Sequence, residues 1–163
     1  MTKVILLAWV AVFLLEIFTG GGIDMLLAFH PVIFPNAITG LVTYPLIVGY
    51  ANIFGLLITG LVFYWFGGSL ERSWGPRRFL IFLLLANVAA ALVWEIGIFL
   101  FTGGPGGVGG PWFMLSSVIV AWAWLNPEAT IMLWFILPMK AKWIGWLDIA
   151  LLYVLMPLGY VSG

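Results

Sequence analysis

The chain has no cysteine, a single histidine, and few charges: six Lys and Arg against six Asp and Glu, or 7% of 163 residues. The missing cysteines exclude disulfides, thiolate metal sites and cysteine nucleophiles together. One histidine, His30, supplies almost no axial ligands for haem or chlorophyll, so no cofactor and no metal is expected. A net charge of zero, with the charges set between apolar runs, excludes a basic surface for nucleic acid.

What the chain has instead is apolar length. Hydrophobic residues make up 64% of it and its mean hydropathy is +1.20, far outside the range of a soluble fold. Several apolar runs reach the roughly 20 residues that cross a hydrocarbon core of about 30 Å. Repeated runs of that length exclude a single anchor and a β-barrel pattern. The fold class is therefore all-α, a polytopic transmembrane helical bundle of about five spans, with residues 1–163 forming one transmembrane domain. The start, Met1-Thr2-Lys3 before Val4-Ile5-Leu6-Leu7-Ala8, has the look of a signal peptide. No small-x-small cleavage site follows the bulky Phe13 to Phe18, so it reads as a retained first span.

Taken in order, helix one covers about Val4 to Phe18, short for a crossing, and breaks at Gly20-Gly21-Gly22. From Ile23 to Tyr50 the residues Asp24, His30, Pro31, Pro35, Gly40, Pro45 and Gly49 interrupt any regular period. This reads as a loop in the interface with short helical turns. Helix two covers about Ala51 to Phe66 and ends at Gly67-Gly68. Helix three runs from about Arg78 to Phe101, and a Gly-rich connector from Thr102 to Pro111 follows. Helix four covers about Trp112 to Leu125, closed by Asn126-Pro127-Glu128. A shorter apolar piece, Ile131 to Leu137, leads to Pro138, and helix five runs from about Trp143 to Leu155, with Tyr160 as its furthest end.

Short loops rich in Lys and Arg stay cytoplasmic. With the N-terminus inside, Lys3, Arg72, Arg77, Arg78, Lys140 and Lys142 all fall on the inner side, and five spans place the C-terminus outside. Short loops and no glycosylation-rich extension suggest a bacterial inner membrane.

The stretch Leu70 to Phe79 is the one dense charge cluster. Its Glu71, Trp74, Gly75, Arg77, Arg78 and Phe79, after a Trp65-Phe66-Gly67 ending, resemble the loop between spans two and three of rhomboid intramembrane proteases. The resemblance extends to Val12-Phe13-Leu14-Leu15-Glu16, Thr43-Tyr44, Asn126-Pro127-Glu128-Ala129 and Lys140-Ala141-Lys142-Trp143, in the family's order. It implies that the charged cluster is structural, tying spans two and three together. It also implies a Gly-x-Ser-Gly nucleophile motif at Gly110-Pro111-Trp112-Phe113, so the serine's place is held by Trp112. The His-x-x-x-Asn pair that helps hold the oxyanion falls on Gly55 and Thr59, and the chain stops before a sixth span and its histidine. Every catalytic position of the family is replaced.

The residues themselves agree. A serine needs an adjacent base, and His30 sits in the outer loop, with Ser116 and Ser117 about one turn below the expected nucleophile. These hydroxyls are expected to bond a carbonyl one turn back or a neighbouring helix. Glu16, Glu95 and Asp148 are acids in or near spans, where an unpaired charge costs about 2.5 kcal/mol or more. Asp148, six residues beyond Lys142, is either a contact to a partner helix, a proton site, or a protonated acid bonded to an adjacent helix. Most tryptophans mark interfaces, but Trp122 and Trp124 lie inside span four on nearly opposite faces, so one can meet lipid or another subunit. Gly104 to Gly109 fits G-x-G-x-x-G without the strand and acidic residue a nucleotide site needs, and reads as a flexible connector.

The expected function is that of a non-catalytic rhomboid-like protein, an accessory or assembly subunit. Its partners would be membrane lipids and other transmembrane proteins packing on span four or five, at Ser116, Ser117, Trp122, Trp124 and Asp148. Two alternatives are an intramembrane serine protease with a relocated site at Ser116 or Ser117, and a small transporter or channel subunit using Asp148 or Glu95.

Overall fold

The structure, a computed structural model, describes residues 1–33, 36–48, 53–133 and 137–150. Helix α1 (Thr2–Thr19) is longer than the Gly-bounded sequence reading and ends on Gly20 in the left-handed region, φ 60°. Two short helices, α2 (Asp24–Leu27) and α3 (Asn36–Thr43), and a 3₁₀ turn (Tyr44–Leu46) follow, as expected for a loop with short helical turns. Then come α4 (Ile53–Trp74), α5 (Pro76–Thr102) and α6 (Trp112–Leu125), the last with the boundaries expected from the sequence.

The helix expected to stop at Phe66 continues through Gly67 and Gly68 to Trp74. Gly67 serves packing instead. A Cβ there would lie 3.3 Å from the Phe79 ring and 3.5 Å from Phe63, so its missing side chain lets α4 and α5 close on these aromatics. The break falls at Gly75, φ 81°, with Pro76 opening α5 at the position where its missing N–H costs nothing. The charged cluster is thus a helix–helix joint.

A second departure lies between α6 and the last described helix, α7 (Ala141–Ala150). The apolar piece read there as a connector forms a two-stranded antiparallel hairpin, β1 (Thr130–Leu133) with β2 (Leu137–Lys140), pairing Thr130 with Lys140. The fold class is helical with this one hairpin among the described residues. Lys140 donates to Glu128 at 2.7 Å and holds its carboxyl below the usual range. The expected extension of helix five to Leu155 or Tyr160 lies outside the described residues.

Three helices, α1, α4 and α5, are long and apolar enough to cross a membrane. Helix α6, 14 residues, is about 21 Å long at 1.5 Å per residue, short of a full crossing. Five expected crossings therefore become three among the described residues, with α6 a shorter apolar helix beside them.

One core lies where α1, α4, α5 and α6 meet, on Trp9, Phe63, Leu70, Phe79, Leu83, Met114, Leu115 and Val118. A second, on Phe29, Tyr44, Ala90, Ala91, Trp94, Ile98, Val108 and Phe113, fastens the segments on either side of α3 and the Gly-rich connector to α5 and α6. Buried polar groups stitch the two. The Trp9 indole donates to the Pro45 carbonyl at 2.8 Å, and the Tyr44 hydroxyl to the Asn87 carbonyl at 3.0 Å.

Candidate functional site

Helix α6 is the floor against which both α4 and α7 pack. Along α4, Gly55 and Thr59 stand one turn apart on the side facing α6. Trp112 opens α6 opposite them. These three residues line both of two neighbouring cavities and so form the wall between them. The smaller, about 200 Å³, is completed by Ile47, Val48, Gly109, Gly110 and Pro111. The larger, about 560 Å³, runs on past Phe54, Ile58, Val62, Leu115 and Ile119 to Ser116 and Asp148. Positions as far apart in the chain as Gly55 and Trp112 thus meet at one place, the place the resemblance assigned to catalysis.

The chemistry there is sparse. Thr59 is 6% exposed and Ser116 2%, and the remaining lining is apolar apart from Asp148. The Ser116 hydroxyl donates to an Asp148 carboxyl oxygen, joining α6 to α7. Sequence separation of 32 residues hides this pair, although each member stood out as a polar residue within an apolar run. The face of α7 that carries Asp148 also carries Ala141, fully buried, and Gly145, whose missing Cβ would stand 3.3 Å from the Ala123 methyl. Small residues on both sides thus bring the two helices close enough for the bond.

Ser117 turns elsewhere and donates to the Phe113 carbonyl of its own helix at 2.7 Å. His30 lies between α2 and α3, its ring beside Gly107, while Phe29 and Val108 exchange backbone hydrogen bonds of 2.9 and 3.0 Å. The Gly-rich connector is therefore fastened: Glu95 accepts from the Gly106 N–H at 2.9 Å, and the Tyr44 carbonyl from the Gly110 N–H at 3.0 Å.

Of the charged cluster, Glu71 reaches α1 and not the arginines. Its carboxylate accepts from the Met1 ammonium and, at 2.8 Å, from the Thr2 N–H. Arg72, Arg77 and Arg78 are exposed, so the expected tie between spans two and three by charge is replaced by one between the first helix and α4. Trp74 holds the joint with its ring 5.1 Å from Phe82, and Gly75 supplies the turn. On α6, Trp122 packs edge-on against Phe66 at 5.0 Å, whereas Trp124 is 76% exposed. The two faces expected from their spacing are thus distinct.

A family model described as "Eukaryotic integral membrane protein (DUF1751)" matches residues 3–163. The chain belongs to this family. It is an integral membrane protein, and the family's eukaryotic description counts against the bacterial inner membrane expected from the short loops. No curated protein and no solved structure matches the chain. For a DUF1751 protein the sequence signals most easily missed were Asn87 and Trp9. Asn87 sits alone in the apolar run of α5, and a lone amide in such a run is a standing sign of a buried partner, here Tyr44.

Proposed function

We propose that this protein is a non-catalytic, rhomboid-like membrane protein that binds other transmembrane helices as an accessory or assembly subunit of a larger complex. The observation that carries the reading is the wall formed by Gly55, Thr59 and Trp112. The resemblance assigns these three positions to catalysis, and all three line the same two cavities. What they offer is no imidazole, no amide and no hydroxyl nucleophile in the serine's place. Ser116 and Ser117 each donate to a group other than His30. A serine nucleophile of the rhomboid kind needs an imidazole within about 3 Å; Ser116 has a carboxyl, a far weaker base, and Ser117 a backbone carbonyl, which favours a fold that binds without catalysing.

In this reading the basic loops and the N-terminal end face the cytosol, following the distribution of Lys and Arg. The experiment is extraction from native membranes in mild detergent, size separation, and mass spectrometry of what travels with the chain. Migration in a large particle with defined subunits is the expected result; migration alone in a small micelle overturns the accessory role. Fluorophosphonate labelling of the purified protein is expected to fail. Labelling that disappears in Ser116→Ala or Ser117→Ala would instead establish a serine hydrolase.

A further inference from the structure

The 560 Å³ cavity is a cleft with α4 on one side, α7 on the other and α6 beneath. Asp148 stands eight positions into α7, about 10 Å along the axis from its start beside Lys140, against about 15 Å to a bilayer midplane. A carboxyl at that depth is costly unless something answers it, and such acids usually mark a partner or a pathway. Ser116 answers it with one hydroxyl. No cation of this chain does: Lys3, Arg72, Arg77, Arg78, Lys140 and Lys142 all lie at helix ends or in the joint and hairpin, and none lines the cleft.

The wall opposite Asp148 has the form of a helix-packing surface. Gly55 and Thr59 stand at the base of that wall and face α6, Thr59 only 6% exposed, so their small side chains leave room at the bottom of the cleft. Beside them Phe54 and Ile58 line the cleft and are each more than half exposed, and Leu57 and Leu61 continue the exposed apolar stripe around α4.

We propose that the cleft between α4 and α7 receives a partner transmembrane helix carrying a lysine or arginine in its central turns, whose charge pairs with Asp148. The proposal rests on the helix-binding reading above and adds the chemistry of the partner. Phe54 and Ile58 give the partner an apolar surface on α4, and the carboxyl of Asp148 selects for a basic side chain over an apolar one. The cavity takes in that side chain, and the partner's helix lies across its mouth.

The test uses the full chain in nanodiscs of zwitterionic lipid and a fluorescent model peptide of about 21 leucines and alanines, long enough to span. One version carries a single central lysine, the other leucine at that place. The wild type is expected to bind the lysine peptide at least about tenfold more tightly than the leucine peptide, as a charge pair of ordinary strength would give. Asp148→Asn keeps a hydrogen-bonding partner for Ser116, and with it the α6–α7 contact, but is expected to lose the preference. Ser116→Ala removes the bond and leaves the carboxyl, and is expected to keep it. Equal binding of the two peptides by the wild type, or a lysine preference that survives in Asp148→Asn, overturns the proposal. Tight binding of both peptides alike would leave helix binding standing and remove only the charge pairing, so the two readings fail separately.

Discussion

At the scale of single residues, the glycines separate by what surrounds them. A Cβ on Gly40 would come within 2.6 Å of the Ala28 carbonyl oxygen and of the Phe29 Cα, both backbone atoms that cannot swing aside. Helix α3 therefore has to move away from the segment before it. Gly40→Ala is expected to cost about 1–3 kcal/mol, the usual range for overpacking, read as a lower unfolding midpoint in detergent. Gly97, in the middle of α5 with nothing within 4 Å of its would-be Cβ, is the control. Gly97→Ala is expected to leave stability unchanged or raise it by about 0.5–1 kcal/mol, since the helix gains a better former. The sequence presents both as a glycine in an apolar run. Which one is pressed against a neighbour depends on a chain segment twelve residues away for Gly40, and no local pattern carries that information.

The same ambiguity acts on whole elements. Gly67-Gly68 and Gly75-Pro76 are equally good stop signals on paper, yet α4 runs through the first pair and ends before the second. The difference is Phe79, which fills the space that Gly67 leaves, and a helix supported by packing tolerates the propensity cost. The limits of α6 were legible because a Pro stands on each side of an uninterrupted apolar run. The hairpin was not, since a short apolar run is as consistent with a strand as with a turn of helix. Helix α7 leans on α6 through Gly145 against Ala123, one turn from the Ser116–Asp148 bond. Gly145→Leu is expected to push the two helices apart at a cost of about 1–3 kcal/mol. Because the bond needs that close approach, its loss and that of Ser116→Ala should be less than additive in a double mutant, a comparison of four unfolding midpoints.

For the whole molecule, the ordering of catalytic-like positions around one cavity was available from the sequence only through resemblance, because Gly55, Thr59 and Trp112 carry no chemistry that would single them out. The Ser116–Asp148 pair was half available: two polar residues stood out, and only folding brings α6 and α7 together. Orientation is expected from charge alone, and the fold offers a direct way to measure it. Helix α5, 27 residues, spans about 40 Å, so the joint at Ser73 and the connector at Pro105 stand at opposite ends of a helix that can cross the bilayer. With no native cysteine, Ser73→Cys and Pro105→Cys each give a single thiol without background. A membrane-impermeant maleimide applied from the cytosolic side is expected to label the thiol at position 73 and spare the one at 105. The reverse pattern would invert the molecule and put every arginine of the joint on the side from which short basic loops are normally excluded. Labelling of both from one side would mean that α5 does not cross, and the helical bundle would then need a different set of spans.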